Sequence, residues 1–320
     1  MNDKKLQFLR DRALRALGNN SVEKAVAKTR AIIGVTDIPA SEVDAQKALE
    51  KLYNNEVPEP AELAALELVI RLLRPAPLSR NKGQLDDLPD QQGRNLYPQE
   101  LKDLWSDFRK KSPQVLSAVG RVEMANGQHI GTGFLVGPEA LMTNRHVLGD
   151  LSFGTELLGP GQARVGFRRE IGGGDAKTDF VSIEGVTSIH PKLDMVVLKI
   201  KAQPDRGNLT IALAAAGEGE QVATIGYPAA DEGRNPLFSS AVFGTDYGYK
   251  RAALGEVLDG TGNPTLFHDC STLGGNSGSP VISLKTGLVV GIHYSGYFMY
   301  RNEAVDADEL RSFAPAPAAA

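Results

Sequence analysis

The sequence predicts a mainly β domain preceded by a small all-α domain, and two observations support this division. Near the start of the chain, Leu6, Leu9 and Leu14 recur at helical spacing. Further along, residues 131–137 and 194–200 are short apolar runs bounded by glycine or by a charged residue, which is typical of β-strands. A chain of 320 residues is also long for one domain and suits two.

The first part of the chain, residues 1–74, contains four predicted helices. They cover residues 3–16, the segment from Ser21 to Ile33, the segment from Ser41 to about Tyr53, and the leucine-rich run that follows Pro58 and Pro60. We call residues 1–74 the helical module. The spacing predicts a bundle that packs on itself, and the same bundle is compatible with an adaptor that recruits a partner or regulates the rest of the chain.

A connecting stretch follows the helical module and is predicted to extend from residue 75 to residue 111. Its first part is polar and punctuated by proline and glycine, as in a linker, and a short helix is expected over residues 98–111. Trp105 in that helix is expected to dock on the β domain, or else to serve a partner. At the other end of the chain, residues 314–320 form a low-complexity Ala/Pro tail.

A short turn at residues 275–280 carries the strongest sign of chemistry. It has the sequence Gly-Asn-Ser-Gly-Ser-Pro, and a serine hydroxyl becomes a nucleophile when a base takes its proton and fixed donors hold the oxyanion. Gly275 and Gly278 allow the backbone to turn so that N–H groups converge beside Ser277. Taken alone, the motif is also compatible with an ordinary glycine turn.

Two residues upstream have the chemistry that such a serine needs. His146 supplies an imidazole, and Asp194 opens an apolar strand, where a carboxylate can be held against a histidine ring and shielded from water. Asp150 is a rival for the third position, but no buried strand follows it, so Asp194 is preferred. The order along the chain is His, Asp, Ser.

These motifs resemble those of bacterial trypsin-like serine proteases. The matching segments are Gly131-Thr132-Gly133-Phe134, Thr143-Asn144-Arg145-His146-Val147, Asp194-Met195-Val196-Val197-Leu198, the serine turn, and Gly291-Ile292-His293. The resemblance implies a chymotrypsin-like double β-barrel over residues 112–313. It also implies that His146 is the general base, Asp194 its orienting carboxylate and Ser277 the nucleophile, with an oxyanion hole at Gly275, Asn276 and Ser277 that uses the N–H groups of Gly275 and Ser277.

The substrate pocket is expected near residues 271–272 and after residue 291. Ser271 stands where the family places the pocket base, and a neutral residue there disfavours a basic substrate side chain. Thr272 and His293 match positions that glutamyl endopeptidases, the subgroup closest in motif, use for an acidic side chain. Both side chains can donate hydrogen bonds, and a protonated His293 would add charge. The adjoining substrate-binding positions are Tyr294, Ser295 and Gly296.

Three departures from the family and one nearby charge bear on these expectations. Asn276 stands where digestive relatives carry the aspartate that pairs with a freed N-terminal amine, so the oxyanion hole is expected to form without that cleavage. In glutamyl endopeptidases the N-terminal amine helps to neutralise the substrate, whereas here more than a hundred residues precede the barrels. Tyr294 replaces a serine that bonds the triad aspartate, so Asp194 needs another donor. Glu303 would repel an acidic substrate if it faced the pocket.

Composition narrows the classes of function. The net charge of −4 gives no reason to expect nucleic-acid binding, and no apolar run is long enough to span a membrane. The one cysteine, Cys270, excludes an intramolecular disulfide and is expected to be a small buried apolar group, so a cytoplasmic location is expected. No histidine or cysteine spacing suggests a metal site, and no cofactor is expected.

The sequence therefore predicts a serine endopeptidase that acts on protein or peptide substrates, with a helical module that regulates it or recruits a partner. The alternative is a binding or scaffold protein that keeps a protease-like fold without turnover. A quality-control protease of the HtrA type is a weaker alternative, since no PDZ-like segment follows the β domain.

Overall fold

The computed structural model describes residues 3–18, 21–33, 42–89, 96–173, 179–230, 236–259, 264–297 and 300–315. Its helices are α1 (Asp3–Gly18), α2 (Val22–Ile33), α3 (Glu42–Tyr53), α4 (Pro60–Leu72), α5 (Gln99–Ser117), α6 (Arg145–Leu151), α7 (Pro236–Phe243) and α8 (Ala307–Phe313). Its strands are β1 (Ser79–Arg80), β2 (Gln84–Leu85), β3 (Val119–Met124), β4 (His129–Gly137), β5 (Ala140–Thr143), β6 (Ala163–Gly166), β7 (Phe180–Ile189), β8 (Val196–Ile200), β9 (Gln221–Gly226), β10 (Arg251–Asp259), β11 (Thr265–His268), β12 (Pro280–Ser283), β13 (Val289–Tyr297) and β14 (Arg301–Asp306). The predicted cap Ser41 and residues 316–320 of the predicted tail lie outside the described residues.

Two closed antiparallel barrels make up the β domain. The first has the strand order β3-β4-β5-β8-β7-β6, and the second has the order β10-β11-β14-β13-β12-β9. Closure leaves neither barrel with an open edge strand. The prediction of a chymotrypsin-like double barrel preceded by helices is confirmed.

The barrel strands carry the apolar pattern that the sequence predicts. In β8, Val196, Val197 and Leu198 are fully buried, as expected for a strand covered on both faces. The strand β12 is buried at all four of its positions. No helix in the described ranges combines the length and the apolar character that a membrane crossing requires.

The helical module has the four predicted helices. Leu6, Leu9 and Leu17 of α1 are buried, and the Ser21 hydroxyl accepts the N–H of Lys24 near the start of α2. Most buried apolar side chains of the module belong to the same continuous cluster as those of the first barrel and part of the second. The module is therefore packed against the barrels, and the division of the chain into domains stays a prediction.

The segment predicted as a linker is also packed. The carbonyls of Pro75 and Pro77 accept the N–H groups of Leu254 and Ala252, which lie in β10. The strands β1 and β2 pair as a small hairpin in the same segment. Residues 75–79 thus run along β10 of the second barrel, and residues 83–85 lie against α5.

The helix α5 is longer than predicted, since it continues from residue 111 to Ser117. Pro113 lies inside it, and proline cannot donate to the carbonyl four residues earlier. The Ser112 hydroxyl donates to that carbonyl, of Arg109, at 2.9 Å, which supplies the missing hydrogen bond. Trp105 is buried and its Nε1 lies 3.3 Å from the Asp86 carbonyl, so it docks against the chain rather than facing solvent.

A buried lysine links the two barrels to α5. The Lys250 Nζ, just before β10, donates to the carbonyls of Leu116 and Phe167, each at 2.7 Å, and lies 3.3 Å from Glu170 Oε1. Its side chain is fully buried, and burial lowers the pKa of Lys250 from 10.5 to about 8 despite the nearby carboxylate.

This lysine makes stability depend on pH in a defined direction. Between about pH 8 and pH 10.5 the unfolded chain holds the Lys250 proton more tightly than the folded chain, so the free energy of unfolding rises with pH. In Lys250→Met that contribution is absent. We expect the stability difference, wild type minus variant, to grow by up to about 3 kcal/mol across this window, measured by urea unfolding.

Lys199→Met is the matched control, because Lys199 in β8 is more than half exposed and forms only a long ion pair with Glu184. Its difference from wild type should stay flat over the same pH range. A Lys250→Met difference that also stays flat would contradict the prediction.

Candidate active site

The three predicted catalytic residues come from turns of both barrels. His146 is the second residue of α6, which follows β5, and Asp194 lies in the turn that precedes β8. Both belong to the first barrel. Ser277 lies in the turn between β11 and β12 of the second barrel. A site built from all three would therefore span the junction of the barrels.

His146 and Asp194 form a well-defined pair. The His146 Nδ1 lies 2.5 Å from Asp194 Oδ2, and the His146 backbone N–H donates to Asp194 Oδ1 at 2.9 Å. The register Thr143↔Val196 between β5 and β8 brings these turns together, and Asn144 Nδ2 donates to the Asp194 carbonyl at 2.8 Å. The carboxylate thus holds the proton on Nδ1 and leaves Nε2 as the basic nitrogen.

The further donor that Asp194 was expected to need is the His146 N–H. Asp150, the rival carboxylate, is an exposed residue of α6, and the bond between His146 and Asp194 favours the latter. The His146 side chain is 43 % exposed, so its ring is accessible from solvent.

The serine turn has the backbone that its glycines were expected to allow. Gly275 and Gly278 both have φ near +85°, a conformation that side-chain-bearing residues rarely adopt. A Cβ at Gly278 would lie 2.0 Å from the Thr132 carbonyl oxygen, and one at Gly275 would lie 2.4 Å from His129 Cε1. Both positions therefore require glycine for space as well as for φ.

Thr132 in β4 joins this turn to the first barrel. Its N–H donates to the Ser277 carbonyl at 2.8 Å, and its hydroxyl donates to the Gly275 carbonyl at 2.7 Å. The carbonyls of Gly275 and Ser277 are thus both bonded to Thr132. Their N–H groups, by contrast, have no acceptor within the described part of the chain. These two donors are available for an oxyanion.

Asn276 is not a third donor. Its N–H donates to the Leu273 carbonyl at 3.2 Å, so it closes the turn and cannot also bind an oxyanion. Its place in the predicted oxyanion hole is corrected accordingly: it is a buried, uncharged residue between the two donors.

Gly131 lies between the residue that follows His146 and the Ser277 backbone. A Cβ on Gly131 would lie 2.8 Å from Val147 Cγ2 and 2.9 Å from the Ser277 carbonyl oxygen. The residue after His146 and the Ser277 backbone therefore pack on one glycine. Among the described residues no hydrogen bond joins Ser277 Oγ to the His146 ring; such bonds often form only once substrate is bound.

Two expected pocket hydroxyls have their protons engaged elsewhere. Ser271 is buried and donates to the Arg74 carbonyl at 3.0 Å, so it faces the helical module rather than a pocket base. Asn302 Nδ2 donates to the Cys270 carbonyl at 2.6 Å, which fixes Oδ1 toward Thr272, and the Thr272 hydroxyl donates to that oxygen at 3.0 Å. Thr272 is therefore not a free donor, contrary to the expectation.

His293 is buried and neutral. Burial, together with the nearby His268 and His146 rings, holds its pKa well below 6.5, so the expected charge on His293 is absent. His293 Nδ1 lies 3.2 Å from His268 Nε2, and burial also lowers the pKa of His268, to about 3. The sequence placed His268 near the pocket but gave no sign of this pair.

The tautomers of the pair follow from hydrogen-bond accounting. His268 Nδ1 is buried and has no hydrogen-bond partner among the residues that the structure describes, and an orphaned N–H there would cost more than an unprotonated nitrogen. The His268 proton is therefore on Nε2 and donates to His293 Nδ1. His293 then carries its own proton on Nε2, where it is a donor.

Of the remaining predicted pocket residues, Gly296 adjoins Thr272, whereas Tyr294 and Ser295 lie beside Glu303. Gly296 adjoins Thr272 and Asn302, because a Cβ there would lie 3.4 Å from Thr272 Oγ1 and 2.5 Å from Asn302 Oδ1. The Tyr294 hydroxyl instead donates to Glu303 Oε2 at 3.0 Å, and burial, aided by this carboxylate, raises the pKa of Tyr294 to about 12.

Glu303 also lies close to Arg301, at 3.4 Å, so its charge is partnered. Ser295 is paired with Glu303 across β13 and β14. Asn302, which sequence reasoning missed, is the residue that links Thr272, Cys270 and Gly296.

Cys270 is a buried apolar group, as predicted. It is fully buried, and burial raises the pKa of its thiol to about 12, which excludes a thiolate at neutral pH. Within the described ranges, no group of three or more His, Cys, Asp or Glu side chains is arranged to hold a metal ion.

Two six-stranded barrels with a His–Asp pair on one and a serine turn on the other define the chymotrypsin-like class of fold. Residues 131–292, about half of the chain, match the family model described as trypsin-like peptidase domain. The chain belongs to this family.

Individual relatives are similar over part of their length. A probable serine protease of Lysobacter enzymogenes is 28% identical over 53% of this chain and 54% of its own. A glutamyl endopeptidase of Staphylococcus aureus is 28% identical over 60% of this chain and 50% of its own. The chain thus spans about half the length of these curated relatives. A crystal structure of a serine endoprotease from Yersinia pestis is 17% identical, with a TM-score of 0.47 over 64% of each chain.

The serine turn gives a direct stability prediction. Gly278→Ala places a methyl group against Thr132 and strains φ, so we expect the free energy of unfolding to fall by about 3 kcal/mol or more. Gly287→Ala is the matched control, because Gly287 has a similar φ of +75° but nothing within 4 Å of its Cβ position. We expect it to cost about 1 kcal/mol. Equal losses in urea unfolding would show that the contact with Thr132 is unimportant.

Proposed function

We propose that this protein is a serine endopeptidase that hydrolyses peptide bonds through a His146–Asp194–Ser277 triad. The observation that carries the proposal is the His146–Asp194 pair, together with the packing of Val147, the residue after His146, on the same glycine as the Ser277 backbone. Membership of the trypsin-like peptidase family and the similarity to two curated serine proteases support it.

The proposed reaction gives each member of the triad a role. His146 Nε2 takes the Ser277 hydroxyl proton as Oγ attacks the substrate carbonyl, and the N–H groups of Gly275 and Ser277 hold the resulting oxyanion. The imidazolium, stabilised by Asp194, then protonates the leaving amine to give an acyl-enzyme. A water molecule repeats the cycle, releases the acid and restores the hydroxyl.

Activation is proposed to be independent of a freed N-terminal amine. Asn276 is neutral and buried, and its N–H already closes the turn through Leu273, so no ion pair is needed there. We assign the catalytic part to residues 112–313 and a controlling or recruiting role to the helical module.

The pocket is proposed to prefer an acidic residue before the scissile bond. No carboxylate stands at position 271, and His293 Nε2–H is a neutral donor of the kind a substrate carboxylate can use. The similarity to a glutamyl endopeptidase supports the same preference. Recognition here rests on hydrogen bonds to neutral groups rather than on a charged histidine.

The triad is tested by active-site labelling and peptide cleavage. In Asp194→Asn the side-chain amide can donate a proton to His146 Nδ1, which stabilises the wrong tautomer of the imidazole. We therefore expect kcat to fall by about 10⁴. Asp150→Asn, which changes the exposed rival on α6, should leave kcat near that of wild type. Ser277→Ala should abolish labelling by a fluorophosphonate probe. Folded wild-type protein that neither labels nor cleaves would indicate a non-catalytic binding protein instead.

The acidic preference is tested with two peptides that differ only in Glu or Gln before the cleaved bond. We expect kcat/KM to be about tenfold higher for Glu. Because the pKa of His293 lies well below 6.5, the histidine stays neutral, and this ratio should be flat from about pH 6 to pH 9. A ratio that falls as pH rises through this range would show that His293 binds as a cation, and a ratio near one would contradict the preference.

A further inference from the structure

Residues 269–272, which we call the pocket segment, are held from the helical module. Arg74 Nε donates to Asp269 Oδ2 at 2.9 Å, and Arg71 Nη1 donates to the Cys270 carbonyl at 2.7 Å. The Ser271 hydroxyl returns a bond to the Arg74 carbonyl at 3.0 Å. Three consecutive residues of the pocket segment therefore bond to the end of α4, nearly two hundred residues earlier in the chain.

These contacts are buried and charge-assisted. Arg71 and Arg74 are 6 % and 8 % exposed, and Asp269 is fully buried. The nearby arginines hold the pKa of Asp269 below its usual value despite its burial. A buried charge without its partner is costly. These buried contacts therefore fix the positions of the arginines and of the pocket segment more strongly than a surface ion pair would.

Arg71 is itself hydrogen-bonded to Glu67, which also bonds a second helix of the bundle. Arg71 Nε donates to Glu67 Oε1 at 2.7 Å, one turn earlier on α4, and Arg12 Nη1 of α1 donates to the other Glu67 oxygen at 2.6 Å. Both partners are buried. The arginine is thus oriented by a second helix, so its position depends on the folded module and not on α4 alone.

On its other side, the pocket segment meets the predicted substrate pocket. The Cys270 carbonyl that Arg71 binds also accepts from Asn302 Nδ2, and Asn302 Oδ1 accepts from Thr272. Gly296 packs on the same Asn302 amide. A shift of the pocket segment would therefore move the pocket wall.

The Ser277 turn is secured separately. Its carbonyls are bonded to Thr132 of the first barrel, and neither Arg71 nor Arg74 contacts it among the interactions within the described ranges. The Asn276 N–H does bond the Leu273 carbonyl next to the pocket segment, but the carbonyls of Gly275 and Ser277 stay anchored to Thr132, so substrate selection can be perturbed more strongly than nucleophile geometry.

We propose that Arg71 and Arg74 are positioning residues for substrate selection, through which the helical module shapes the pocket wall in cis. This role rests on the proposed peptidase function. In the folded protein the module is then an integral part of the substrate-binding apparatus, and displacing α4 changes which peptides are cleaved.

Two variants test the proposal without leaving a buried charge unpaired. Arg71→Lys keeps a cation beside Glu67, but a single ammonium replaces the two nitrogens, Nε and Nη1, that bond Glu67 and the Cys270 carbonyl, so the fixed fork geometry is lost. Arg74→Met combined with Asp269→Asn and Glu256→Gln removes Arg74 together with both carboxylates that it contacts, Asp269 at 2.9 Å and Glu256 at 3.3 Å. Arg30→Lys is the control, because Arg30 lies on α2 with its side chain 66 % exposed, paired with Glu42.

The measurements separate selection from chemistry. For both test proteins we expect fluorophosphonate labelling of Ser277 within about twofold of wild type, whereas kcat/KM for peptides falls about tenfold, mainly through KM. The ratio between peptides with different residues before the cleaved bond should change. Hydrogen exchange in residues 266–274 should be faster than in the Arg30→Lys control.

Each outcome is decisive. Unchanged KM, peptide ratio and exchange in both variants would overturn the proposal, as would a parallel loss of labelling and cleavage, which indicates a merely structural role. If wild type neither labels nor cleaves but exchange in the pocket segment responds to the variants, the peptidase function is wrong while the hold on the segment stands.

Discussion

The junction at Thr132 is the constraint on which the proposed site depends. His146 and Asp194 belong to one barrel and Ser277 to the other, so their relative positions are only as well defined as the contact between the barrels. Thr132 bonds the serine turn through both its N–H and its hydroxyl, and its carbonyl accepts from Thr143, at the end of the strand that leads to His146. One residue of β4 therefore sets the geometry of both halves.

Close approach at this junction also explains the glycines around it. A Cβ on Gly278 would overlap the Thr132 carbonyl, and a Cβ on Gly226 would lie 2.0 Å from Ser279 Oγ and 3.1 Å from Thr132 Oγ1. Tyr227 follows Gly226 and donates its N–H to the Thr132 hydroxyl. Small residues are needed because two backbone segments, at Gly275 and at Tyr227, lie within hydrogen-bonding distance of the Thr132 side chain.

Local pattern was enough to predict the elements that carry the proposed catalytic residues. The apolar run after Asp194 predicts a buried strand, and the glycines at 275 and 278 predict the turn, because each signal depends only on neighbouring residues. The His146–Asp194 contact follows once β5 and β8 pair, which the resemblance to trypsin-like proteases implied.

The pocket could not be predicted in the same way. The Ser271 hydroxyl bonds Arg74, and the Thr272 hydroxyl bonds Asn302, which are partners 197 and 30 residues away. The sequence shows that a hydroxyl can donate a hydrogen bond, but it does not show which acceptor the hydroxyl will bond in the folded protein. The same limit applies to His293, whose neutrality results from burial beside His268 rather than from any local motif.

The buried charges of the helical module are better explained by geometry than by stability. Replacing a buried ion pair by apolar groups of similar volume is often neutral or stabilising, so Arg12, Glu67 and Arg71 are poor candidates for holding the bundle together. What these side chains provide is directional hydrogen bonding. Glu67 accepts from both arginines, and Nη1 of Arg71 donates to the Cys270 carbonyl of the pocket segment. An apolar contact would hold α4 against the barrel over a range of positions. The guanidinium fixes both the angle and the distance of that carbonyl, which is what a substrate-binding wall requires.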